Sequence, residues 1–195
     1  KMVQIAKKSL SKYKNIKVIH KSFYKFRPKE KADVVIGELI NTGCILEEQV
    51  PAFNYAKKYL LKNHGVFIPC SVISTVKLVN FNFETGGMTL KLPLMYWKGK
   101  MKPVHALSNS VVYDDLQFRK QNLLHKKAKV RVKIIKAGIA NAVMIESYIK
   151  TMEGIILPPR DSITPGVIVP LHTDVDVKKG RNERIKLDWQ YNSGW

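Results

Sequence analysis

Cysteine is scarce in this chain: Cys44 and Cys70 are the only two, too few for a disulfide framework. No Cys-x-x-Cys or His-x-x-x-His spacing occurs, so no zinc-type ligand set is expected and the metal expectation is none. Long apolar runs are missing as well. None approaches ~18 residues, which argues against a membrane-spanning helix, and residues 1–14 lack the continuous apolar stretch of a signal peptide. These absences lead to the expectation of a reduced, cytoplasmic protein, or a nuclear one in a eukaryote. Histidine is thin and scattered (His20, His64, His105, His125, His172). No Ser or Cys is spaced to form a nucleophile–base pair with any of them, so triad chemistry is not expected.

Arginine and acid are both scarce. Six Arg stand beside 28 Lys, and fifteen carboxylates face 34 basic residues, for a formal net charge of +19. Dedicated phosphate readers favour the bidentate guanidinium. Here the lysines run along the whole chain without a cluster interleaved with aromatics. Solvated surface is the plain reading of that excess, and a basic module attracted to nucleic acid or an acidic protein is the alternative.

What is present suffices for a core. At 195 residues and 45% hydrophobic content, the chain can build one domain or two small ones. Met2, Ile5, Ala6, Ser9, Leu10 and Tyr13 fall at helical spacing. Residues 16–20 suit a short strand. Val34, Val35 and Ile36 form a β-branched run of the kind found in a parallel strand covered on both faces. Phe53, Ala56, Leu60 and Leu61 predict a helix over 50–61, with Pro51 tolerated in its first turn and Gly65 as a left-handed cap. Residues 66–68 then resume a strand. Beyond Pro69 the period changes to two, over 71–83, 130–135, 141–149 and 184–191. Gly86-Gly87, Glu153-Gly154 and Pro165-Gly166 punctuate these runs, which predicts an antiparallel barrel or sandwich. Residues 97–127 are less regular, with one short helix expected around 114–124.

Three of the fifteen carboxylates lie within residues 38–48, between the apolar run and the predicted helix. In an open α/β sheet, ligands bind beyond the carboxyl ends of the strands. A pair of these acids, Glu38 with Glu47 or Glu48, is therefore a candidate to hold a cation. Cys44 lies among these acids, and their charge should raise its pKa and oppose reactivity.

The run Ala32-Asp33-Val34-Val35-Ile36-Gly37-Glu38, with Glu47 nine residues after Glu38, resembles the protein arginine methyltransferases. That family carries a V-D-[VI]-[IV]-[VI]-[ST]-E run and a second Glu at this spacing. The resemblance extends through the following helix and strand to the late segments 165–171 and 176–180. It implies the C-terminal part of a Rossmann-like sheet over residues 1–69, followed by a β-barrel substrate and dimerisation domain over 70–195. By the same resemblance, Glu38 and Glu47 grip a substrate guanidinium, S-adenosyl-L-methionine donates the methyl group, and Ser22 and Phe23 flank its adenine. An arginine-bearing protein or peptide is the implied substrate, and a homodimer the implied form. The chain departs from the pattern in three places. It contains no G-x-G-x-G, so it reads as a fragment. Leu39, Ile40 and Asn41 replace the family's aromatic, Met and Gly. Asp161-Ser162-Ile163-Thr164-Pro165-Gly166 stands where a Thr-His-Trp loop is expected. A methyltransferase acting on RNA or another small nucleophile remains the alternative.

Overall fold

The computed structural model describes residues 1–97, 99–159 and 164–193. In chain order it contains α1 (Met2–Leu10), β1 (Ala32–Ile36), α2 (Gln49–Tyr59), β2 (Leu61–Ile68), β3 (Ser71–Phe81), β4 (Glu84–Thr85), β5 (Met88–Thr89), β6 (Leu94–Tyr96) and β7 (Val104–Ala106). Then follow β8 (Val111–Gln117), β9 (His125–Lys133), β10 (Gly138–Met152), β11 (Ile155–Leu157), β12 (Gly166–Val177) and β13 (Asn182–Gln190). Short 3₁₀ turns occupy Phe23–Lys25 and Thr42–Cys44. Among the described residues, no helix is long and apolar enough to cross a membrane. Asp161, Ser162 and Ile163, at the expected Thr-His-Trp position, lie outside the described residues.

The period-two runs form the framework that their alternation predicts. One sheet runs β6-β12-β10-β3-β7, with β8 pairing β3 and β11 pairing β10. A separate antiparallel ladder joins β9 to β13. It is tied to the first sheet by a Ser108–Ile134 bridge and by Asn109 N donating to Lys133 O at 3.0 Å. The sheet curls so that one buried cluster draws Val76 and Leu78 from β3, Val132 from β9, Ala140, Val143 and Ile145 from β10, Val177 from β12 and Ile185 from β13. β12 and β13 do not pair with each other. They flank a cleft of about 500 Å³ lined by Val169–His172 on one side and Ile185–Gln190 on the other. The barrel therefore has an open seam.

A second cluster spans both sides of Pro69. Phe53 of α2 stacks on Phe67 at 4.5 Å between centroids and meets the edge of Phe118 at 4.7 Å. Around them pack Val50, Ala56, Leu61, Val72, Leu116 and Ile149. Asn54 and Asn122 exchange reciprocal bonds, with Asn54 Nδ2 donating to Asn122 O at 2.7 Å and Asn122 N to Asn54 Oδ1 at 2.9 Å. α2 is thus fixed to the barrel by aromatic burial on one face and by a paired amide contact.

Several expectations are corrected. Residues 16–20 form no strand; the N-terminal sheet consists of β1 and β2 alone, so this segment has no ladder to join. β1 is not covered on both faces, because Val34, Val66 and Ile36 (73% exposed) remain open to solvent. Gly65 is not a helix cap. It lies within β2, where a Cβ would come within 2.9 Å of Asp33 O and 2.6 Å of Leu61 Cδ1, so its need is close approach between strands. The helix expected around 114–124 is instead strand β8 and a turn, since Asp114 and Leu116 pair with Ser74 and Val72.

Phe53→Ala should lower unfolding free energy by about 3–5 kcal/mol, because it removes the ring shared by two aromatic contacts. Urea denaturation followed by circular dichroism measures this, and a loss below about 1 kcal/mol would show that α2 does not anchor the fold.

Candidate functional site

The acidic segment is held from three sides. Gln49, wholly buried in the first turn of α2, accepts from Leu39 N at 2.8 Å and donates to Gly37 O at 3.4 Å. One amide group thereby clamps the backbone on both sides of Glu38, and it lies two residues after Glu47. The start and end of the loop are brought together in this way. Asn41 Oδ1 accepts from Leu46 N at 3.3 Å and narrows the loop further. Gly37 is needed beneath this clamp, since a Cβ there would stand 2.5 Å from Phe53 Cε1.

The barrel supplies the remaining braces. Gly43 N donates to Ser147 Oγ on β10 at 2.8 Å, and Ser147 shares a hydrogen bond with Ser74 on β3 at 2.9 Å. The Thr42 hydroxyl donates to Pro165 O, and Ser193 N donates to Ile45 O at 2.9 Å. Gly43 and Cys44 both adopt positive φ, 70° and 54°. A left-handed Cys is uncommon and is sustained here by the contacts around it.

Behind the loop lies a buried polar group that the sequence did not reveal. Asp114 on β8 accepts from Lys126 Nζ of β9 at 2.8 Å and from the Tyr191 hydroxyl. Burial, reinforced by the charge of Asp114, pushes the Cys44 thiol up to about 12 from its ordinary 9.0. The Tyr113 and Tyr191 hydroxyls are likewise raised, by burial first and then by Asp114. Cys44 is therefore a neutral, inert thiol at neutral pH.

Glu38 and Glu47 are both exposed, and neither side chain has a hydrogen-bond or ion-pair partner among the described residues. Glu48 differs: its Oε2 accepts from the Tyr24 hydroxyl at 3.0 Å. Burial and this carboxylate together push Tyr24 up to about 12. The same bond draws the Ser22–Phe23 segment toward the loop. Phe23 lies 5.4 Å from Tyr55 of α2 and 5.6 Å from Tyr24, with its ring still partly exposed. Arg27 sits over Tyr59 at 3.7 Å and Tyr55 at 4.6 Å, fixing that connection on α2. The structure thus gathers Phe23, Tyr24 and the acidic loop on one side of α2. No group of three or more His, Cys, Asp or Glu among the described residues could hold a metal ion.

Sequence reasoning missed Gln49, Asn41, Tyr24 and the Asp114–Lys126–Tyr191 group. Ser74 and Ser147 carried a signal, as hydroxyls at inward positions of otherwise apolar strands.

Comparison with solved structures places this chain beside the Trypanosoma brucei PRMT1 enzyme-prozyme heterotetrameric complex with AdoHcy. The TM-score is 0.77 at 12% identity, over 94% of this chain and 67% of that one. At that identity the likeness is one of fold: a curled sheet of the kind that forms the barrel of this methyltransferase. No family model matches the sequence. An uncharacterized protein of Methanothermobacter thermautotrophicus is 32% identical over 196 residues, covering 100% of this chain and 71% of that protein. The chain belongs to the same family as that protein. An uncharacterized protein of Methanocaldococcus jannaschii is 27% identical over 183 residues, covering 93% of this chain. The chain spans 65% of the length of the M. jannaschii relative.

Two outcomes follow from this geometry. Gln49→Leu leaves the part-buried Leu39 amide without its acceptor, at a cost of about 0.5–1.5 kcal/mol. Hydrogen exchange should show selective loss of protection at Leu39; unchanged exchange there would remove Gln49 as the clamp. Stability should also fall as pH rises from about 9 to 12. The folded chain keeps protons on Cys44, Tyr24, Tyr113 and Tyr191 that the unfolded chain releases near ordinary values, so the unfolded state gains stability with pH. A melting temperature flat from pH 9 to 11 would contradict these raised values.

Proposed function

We propose that the chain is the greater part of an S-adenosyl-L-methionine-dependent methyltransferase of the protein arginine type. In this reading Glu38 and Glu47 hold a substrate guanidinium. The observation that carries it is a pair of unpartnered carboxylates on one braced loop, within a fold shared with such an enzyme, in a chain with ample lysine to neutralise them. Residues 1–69 would be part of the cofactor domain and 70–195 the substrate domain. An arginine-bearing protein or peptide is the proposed substrate, and a homodimer the proposed form.

The chemistry assigned to the chain's own groups is positioning. Two carboxylates accept paired, charge-assisted hydrogen bonds from a planar guanidinium and fix its orientation. They also concentrate its positive charge away from the nitrogen that is to be alkylated. Because Gln49 and Ser147 hold the loop before substrate arrives, little ordering remains at the moment of reaction. The partly exposed Phe23 ring beside the loop fits one face of an adenine, and the Ser22 hydroxyl is exposed next to it. With no glycine-rich phosphate-type loop in the sequence, these residues furnish one side of a cofactor site. When bound, the cofactor supplies an electrophilic methyl group on a sulfonium.

Full-length protein incubated with tritiated S-adenosyl-L-methionine and an arginine-rich peptide tests the reading. Glu38→Gln and Glu47→Gln should each lower transfer by about 100-fold or more, on the scale of losing one preorganised electrostatic partner, with cofactor binding retained. Transfer unaffected by both substitutions would dismiss the assigned roles.

A further inference from the structure

The lysines that look dispersed in sequence are not dispersed in space. β9 reads His125-Lys126-Lys127-Ala128-Lys129-Val130-Arg131-Val132-Lys133, with alternate residues facing outward. On that face stand Lys127, Lys129, Arg131 and Lys133, and across the ladder Arg184 and Lys186 of β13 are exposed beside them. The register sets Arg131 directly opposite Arg184, and Lys129 opposite Lys186. Asp188 is the one acid exposed among these, and Lys127 and His125 already engage it at 2.8 and 2.5 Å. That engagement holds its carboxyl below the ordinary range, Lys127 contributing most. Lys129, Arg131, Lys133, Arg184 and Lys186 have no ion-pair partner among the described residues. At the turn end, exposed Lys178, Lys179 and Arg181 extend the charge. Three of the six arginines thus fall on this ribbon or its turn.

Like charges directly opposed across an antiparallel pair weaken the ladder. Fold stability therefore gives no reason for two such pairs in succession. A polyanion does. Alternate residues on a strand are about 6.7 Å apart and the strands about 4.8 Å, so the ribbon offers two parallel rows of regularly spaced cations. A depression of about 530 Å³ lies among Lys127, Lys129, Lys186 and Asp188.

The face also indicates what kind of polyanion. Protein interfaces are organised around apolar or aromatic anchors. No large hydrophobic residue of β9 or β13 is exposed among the described residues; Ile185, Leu187, Trp189 and Val132 turn inward. With no outward Phe, Tyr or Trp ring on either strand, the face lacks the stacking platform of single-strand binders. We infer that the β9–β13 ribbon docks double-stranded nucleic acid through its phosphates, without reading base sequence. The inference is independent of the methyl-transfer reading and rests on different residues.

The test uses the full chain with fluorescein-labelled DNA and RNA duplexes of about 20 base pairs, followed by anisotropy between about 50 and 200 mM KCl. The two duplexes distinguish DNA from RNA as the source of the shared phosphate chemistry. Binding through about five contacts gives a slope of log affinity against log salt near −4.5. Replacing Lys129, Arg131, Arg184 and Lys186 together by Gln should reduce that slope by about four. Replacing Lys7, Lys8, Lys12 and Lys14 by Gln removes the same charge elsewhere and should leave it nearly unchanged. Because the ribbon substitutions relieve opposed like charges, that variant should melt no lower than the parent. The paired variants Lys129→Gln/Arg131→Gln and Arg184→Gln/Lys186→Gln should each show about half the effect. Equal losses from both fourfold variants would reduce the effect to net charge and overturn the proposal. So would an unchanged slope in the ribbon variant, no binding of either duplex at 50 mM salt, or tighter binding of poly-glutamate than of either duplex.

Discussion

One backbone donor, the amide of Gly43, ties the acidic loop into the wall of the barrel. It gives its proton to Ser147 inside the barrel wall, and Ser147 in turn leans on Ser74 of the neighbouring strand. Such a buried bond is costly to leave unmade. It obliges the loop after β1 to follow the barrel, and it obliges residues 43 and 44 to adopt the left-handed turn that reverses the chain. Gln49 completes the constraint from the helix side. The segment bearing Glu38 and Glu47 is thus a rigid edge set between two cores, although both acids lie at the surface.

The polar groups around this tie are arranged in layers. Outermost are the exposed carboxylates of Glu38 and Glu47. Beneath them lies Cys44, shielded and protonated. Deeper still, Asp114 accepts hydrogen bonds from Lys126 and from the Tyr191 hydroxyl. A buried acid paired in this manner contributes little net stability, but it fixes the register of the strands that supply its partners. Here those partners come from β9 and from the residue just after β13, so the group sets how the ribbon meets the rest of the barrel.

What the sequence discloses follows from whether a feature is local. The alternation of Ile185, Leu187, Trp189 and Tyr191 is legible because each alternate residue turns inward, the first two to one buried cluster and the last two to the other, and β13 forms where that pattern lies. The acidic loop is legible from composition alone, since clustered carboxylates stand out in a cationic chain. By contrast, Asp114 is opaque. Its tolerance for burial depends on Lys126 and Tyr191, 12 and 77 residues away, and short-range propensity favours a helix there. Residues 16–20 have strand-like composition, yet a strand exists only where another backbone can pair with it. The lysines of β9 are visible, but only the register with β13 turns two ordinary alternations into a single charged surface.

The β1–β2 pair has a further consequence for the chain in solution. Val34, Ile36 and Val66 form an exposed apolar face beside a strand whose outer edge has no neighbour among the described residues, an arrangement prone to edge-to-edge association. Long-range repulsion from nineteen excess positive charges opposes it. That repulsion weakens as the screening length contracts from about 10 Å at 0.1 M salt to about 3 Å at 1 M. Dilute, low-salt buffers therefore favour dispersed molecules, whereas concentrated electrolyte removes the barrier that keeps these sticky edges apart.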